Sequence, residues 1–147
     1  MSLDEPDELC QLMAVVHQQG SGWLNLLPLI ADDKPVPATP SVFAVFSKRG
    51  PVVPLATWTP AASGKRPTPV TIGIQHGVAS GLTSRLADTP ARVPAEWRVL
   101  SDHPRRGLVI EVPDGTSDRV VAQWLLACID TVSMVPHVGR AEVFTYA

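Results

Sequence analysis

The sequence predicts an α+β fold, one domain over residues 1–147 with an antiparallel sheet and helices packed on one of its faces. Three observations carry this. Apolar residues recur at helical spacing near both ends of the chain. Between them lie several short runs rich in Val, Ile and Thr, bounded by Gly, Pro and charged turns. Most connections between those runs are too short for a parallel crossover. A chain of 147 residues is also the size of a single domain, and buries enough surface to need no covalent staples.

In order, residues 4–18 form the first predicted helix. Asp4 is expected to cap it, Glu5, Asp7 and Glu8 suit the positive end of the helix dipole, and Leu9, Leu12, Met13 and Val16 make one apolar face. Gly20 and Gly22 end it. Residues 22–30 are strongly apolar, but Pro28 argues against a central strand. The expectation is a helical turn or edge segment with Trp23 docked on the core. Nine of the fifteen prolines fall from Pro28 to Pro69. Within that region residues 41–47, 52–59 and 70–75 read as three strands of a meander, the second interrupted by Pro54. Residues 78–88 suit a short helix, residues 98–100 and 108–112 a hairpin, and residues 140–146 a last strand. Residues 117–135 make the clearest helix, capped by Thr116 or Ser117 and lined by Val121, Trp124, Leu125, Cys128 and Val132. The predicted order is α-β-β-β-α-β-β-α-β.

Composition narrows function by exclusion. Net charge is −2, so no global field draws nucleic acid or membrane. No apolar run reaches the roughly 18 residues of a membrane span, and no basic-then-apolar segment opens the chain, so a cytoplasmic location is expected. Residues 1–3 are expected to be disordered or left over from an expression vector. Cys10 and Cys128 each sit in a helical apolar pattern and read as reduced, buried thiols, although a disulfide between them remains open at this stage. The charged fraction of 18% is low, which favours a well-covered core or an apolar surface used for self-association.

Chemistry-bearing residues concentrate in the turn Asp102-His103-Pro104-Arg105-Arg106-Gly107. Its structural reading is strong: Asp102 can accept from backbone N–H groups, Pro104 fixes φ, and Gly107 supplies a positive φ. Arg105 and Arg106 are expected to pair with Glu111, Glu142 or the acidic first helix. A functional reading places an anion or small-ligand pocket at Lys48, Arg49, His76, Gly77 and the loop to Gly81 with Ser80, extended by Asp102, His103, Arg105 and Arg106 if the turn lies beside His76. The doublets Lys48-Arg49, Lys65-Arg66 and Arg105-Arg106 invite a nucleic-acid reading, but successive turns of a meander lie at opposite ends of its strands. Ser80 lacks the flanking glycines of a nucleophile elbow, and Asp102 adjoins His103 too closely to orient it. His17, His76, His103 and His137 show no paired ligand spacing, so no metal or cofactor is expected.

By element order alone the chain resembles the chaperone-like fold of type III secretion chaperones and related bacterial domains; the final strand departs from that pattern. The resemblance is one of fold; the role in protein contacts is read from the low charge content, the apolar segment from Trp23 to Ile30 and the proline-interrupted sheet edge. With the absence of a complete catalytic constellation, the sequence points to a non-catalytic, cytoplasmic, bacterial-type interaction domain acting as a homodimer. Its expected contact surface is Trp23, Leu26, Leu27 and Ile30. The alternative is a binder of small anions, or a small enzyme, at His76 and the charged turn.

Overall fold

The computed structural model describes residues 1–30, 53–77, 81–104, 106–133 and 137–146, with Ile30, His137 and Val138 described by their backbone alone. Helix α1 (Asp7–Gln19) buries Leu9, Met13 and Val16 and ends at Gly20, whose φ of 72° only glycine adopts readily. Its N-cap is Pro6, with no capping side chain, so the cap expected of Asp4 does not form. Residues 1–3 are ordered against the sheet: Leu3 is buried, and Ser2 bridges Arg140.

Strands β1 (Trp23–Ile30), β2 (Leu55–Thr59) and β3 (Val70–Gln75) follow. Then come the short helix α2 (Leu82–Leu86), the hairpin β4 (Arg98–His103) and β5 (Gly107–Val112), helix α3 (Asp118–Val132) and β6 (His137–Tyr146). The strands form one sheet in the order β4-β5-β3-β2-β1-β6, antiparallel throughout. The α-β-β-β-α-β-β-α-β order holds, but its first strand is residues 23–30. The strand expected at residues 41–47 lies outside the described residues, and the neighbours of β2 are β1 and β3.

The place of β1 corrects the expectation drawn from Pro28. The strand is internal, between β2 and β6. Ala141, opposite Pro28, exchanges its backbone bonds with Met1 on the outer side (N–H to the Met1 carbonyl, 2.8 Å), so this pair does not bond across β1 and β6. The nitrogen of Pro28 therefore faces β2. There the ladder pairs Leu24 with Trp58 and Leu26 with Ala56, and the next step of two would set Pro28 against Pro54. The β1–β2 ladder stops where both strands carry proline, and no donor is stranded.

Alternation then sorts the sheet into two faces. Leu24, Leu26, Ala56, Trp58, Ile72, Ile74, Leu108 and Ile110 point to the helices and are buried. Each buried Leu or Ile among them contributes on the order of 1.5–3 kcal/mol by leaving water. They form one core with the inner faces of α1, α2 and α3. Trp58 lies wholly inside it, its ring 5.1 Å from that of His17 and nearly perpendicular to it. Helix α3 is capped by Ser117, whose hydroxyl accepts from the Val120 N–H. Trp124 of α3 donates its indole N–H to the carbonyls of Ala91 (2.9 Å) and Arg92 (3.2 Å) and packs edge-on to Trp97, which ties the α2–β4 connection to the helix layer. Among the described residues no helix packs on the opposite face of the sheet.

Candidate functional site

Two places carry the residues that sequence singled out: the sheet end built by β3 and the β4–β5 turn, and the open face of β1 beside β6.

At the first, strand pairing sets Ile74 opposite Leu108 and His103 opposite Gly107. The end of β3, with His76 and Gly77 after it, therefore sits at the same end of the sheet as the charged turn. His76 and Gly77 are buried, whereas His103 and Arg106 are exposed. Asp102 and His103 are successive residues of one strand and so project to opposite faces. Asp102 points to the helix side. Its Oδ1 accepts from the Leu82 N–H (3.1 Å), and its Oδ2 accepts from the Thr83 N–H (3.1 Å) and the Thr83 hydroxyl (2.8 Å). Helix α2 has no cap of its own at Gly81, so Asp102 supplies one from twenty residues away. The first N–H groups of α2, which would otherwise attract an external anion, are thus bonded to the chain's own carboxylate. His103 Nδ1 accepts from the Arg106 N–H at 3.3 Å, which orders the turn. Lys48, Arg49, Ser80 and Arg105 lie outside the described residues. The pairs expected of Arg105 lie outside the described residues; among the described ones Glu111 meets Arg98 at 3.8 Å, and Asp7 of α1 meets Arg119 at 2.6 Å.

No activated thiol accompanies these groups. Cys10 and Cys128 are both free. Burial pushes the Cys128 thiol up to about 12. Burial also raises Cys10, with the Asp118 and Asp7 carboxylates adding to the rise and the Arg119 guanidinium opposing it. Neither forms thiolate readily at neutral pH. Among the described residues no three His, Cys, Asp or Glu side chains gather as metal ligands, and no helix is long and apolar enough to cross a membrane.

The second place is an aromatic corner. Trp23 and Tyr146 are directly opposed on β1 and β6 and stack at 5.1 Å with planes 13° apart. Phe144 lies two residues along β6 on the same face, opposite Asn25, and Leu27 follows opposite Glu142. Trp23, Phe144 and Tyr146 are 41%, 47% and 41% exposed, against 5% or less for the other three tryptophans. Trp23 is therefore not docked on the core as expected, and Leu26 is buried and unavailable to a partner. Leu27 is half-buried on the open face, and the side chain of Ile30 lies outside the described ones. Phe144 and Tyr146 escaped sequence reading. Their alternation in Phe-Thr-Tyr was legible, but their juxtaposition with Trp23 depends on the long-range pairing of β1 with β6.

Compared with known proteins, the chain matches no family model, no curated protein and no solved structure.

Proposed function

We propose that the chain is a non-catalytic protein-interaction module, of the chaperone-like bacterial type that its element order suggests, working in the cytoplasm as a homodimer. The observation that supports this reading is the aromatic corner. Three large aromatic side chains stay four-tenths or more exposed on a sheet face that carries no helix among the described residues. Clustered aromatic residues with rigid neighbours are the usual anchors of protein contacts. The charged turn argues the same way by default, since its carboxylate is engaged as a helix cap and its histidine faces away from it.

Sedimentation of the purified protein across a wide concentration range tests the reading. A monomer–dimer equilibrium is expected, weakened by Trp23→Lys. A monomer at every concentration overturns it. The anion-binding alternative has one observation in its favour, the common sheet end of His76 and the turn. Phosphate titration that perturbs the His103 and Arg106 resonances would establish it instead.

A further inference from the structure

We infer that the free part of the β6 edge is a self-pairing edge, at which the β6 strand of a second copy docks antiparallel about a two-fold axis through Phe144. The inference rests on the homodimer reading and assigns it a register.

The outer edge of β6 is filled only in part. The Leu3 N–H donates to the Gly139 carbonyl (3.1 Å) and the Ala141 N–H to the Met1 carbonyl (2.8 Å), so residues 1–3 occupy the edge as far as Ala141. Alternation then aims the backbone groups of Val143 and Thr145 outward as well, while those of Glu142, Phe144 and Tyr146 bond to β1. No main-chain partner meets Val143 or Thr145 on that outer side among the described residues. The strand is regular here, pairing with β1 at every position from Trp23 to Pro28. The opposite edge of the sheet is less suited to pairing, because β4 carries an irregularity between Val99 and Ser101 that breaks its repeat.

Symmetry and the count of backbone bonds together select the register. A strand bonds only where outward residues meet outward residues. An axis at Val143 would set Thr145 against Ala141, which Met1 already holds. An axis at Thr145 sets that residue against itself and makes two backbone bonds within residues 143–146; an axis at Phe144 sets Val143 against Thr145 twice and makes four, with Ala147 the first residue to come opposite Ala141. In that register Phe144 meets its own copy in a pair without backbone bonds, the closely spaced kind. Glu142, the one charged side chain of the segment, falls opposite Tyr146, whose hydroxyl can donate to it. Like charges never meet, and the two aromatic corners join into one strip. A foreign strand would find the same two bonding residues without this complementarity, so a second copy is the favoured occupant.

Two variants test the register without relying on a single fold. Thr145→Pro removes an outward N–H that β1 does not use, and a proline ring at the edge blocks pairing. Self-association should weaken by roughly tenfold or more. Separately, Phe144→Cys in a Cys10→Ser background should give a disulfide-linked dimer on mild oxidation. Opposed residues of this kind lie about 4.5 Å apart at Cα, within disulfide reach. Asn25→Cys, one strand further from the axis in each copy, places the thiols roughly 14 Å apart and should not cross-link. If the wild-type protein dimerises while Thr145→Pro associates as tightly and Phe144→Cys cross-links no better than Asn25→Cys, the register is overturned and the homodimer stands. If the wild-type protein is monomeric throughout, both fall.

Discussion

The carboxylate of Asp102 touches three donors of α2, two of them backbone N–H groups that a five-residue helix cannot satisfy internally. Hydrogen bonds to a charged acceptor are the stronger kind, and losing the acceptor leaves half-buried donors unmet. Asp102→Ala should therefore cost about 2–3 kcal/mol, read as a lowered urea midpoint with an unchanged slope. Asp102→Asn should lose less, because one amide oxygen still accepts. A variant with wild-type stability would remove Asp102 from its structural role and reopen the turn as a chemical site. The sequence made Asp102 legible as an acceptor of backbone N–H groups, because Asp before a proline turn does that commonly. It left the donors unidentified, since Leu82 and Thr83 approach through tertiary packing.

At the scale of elements, the β4–β5 hairpin shows how a local signal meets a distant constraint. Gly107 has φ of 82°, as the turn requires, and that much was readable from Pro104 and the glycine itself. A Cβ there would also come within 2.3 Å of the Ile74 carbonyl oxygen on the neighbouring strand. That oxygen is backbone held in a ladder and has no easy retreat. Gly107→Ala should thus be costlier than a turn glycine alone, about 3 kcal/mol or more, combining positive-φ strain with separation of β5 from β3. Thermal unfolding checks this against Gly115→Ala, which has φ of 85° but open space around its Cβ. The two should differ, and equal losses would assign the whole cost to φ. Elements whose signals are local were legible: β3 falls at residues 70–75 as expected, and the apolar face of α3 is the one its spacing predicts. β1 was not, because the effect of Pro28 depends on which neighbour its nitrogen faces. Register decides that, and register involves Ala141 and Met1.

For the whole molecule, the sheet order is the feature least available to sequence reading. A meander of local hairpins is the simplest arrangement of successive strands, yet β4 and β6 are placed by connections that pass over other strands. The two chain ends consequently meet at one edge, and the open face gathers Trp23 with Tyr146. This arrangement makes the four tryptophans unequal reporters. Trp58, Trp97 and Trp124 are 5% exposed or less and Trp23 is 41% exposed. A neutral quencher such as acrylamide should reach Trp23 readily in dilute protein and leave the other three largely protected. Trp23→Phe should abolish the easily quenched fraction without altering the remainder. Pairing about Phe144 would bring the aromatic strips of two copies together beside Trp23 and screen it. The accessible fraction should then fall as concentration rises through the association range, in step with the sedimentation average. An accessible fraction independent of concentration, in protein that demonstrably dimerises, would place the contact away from β1 and β6, with the exposed Val99 and Leu100 on β4 as an alternative apolar surface.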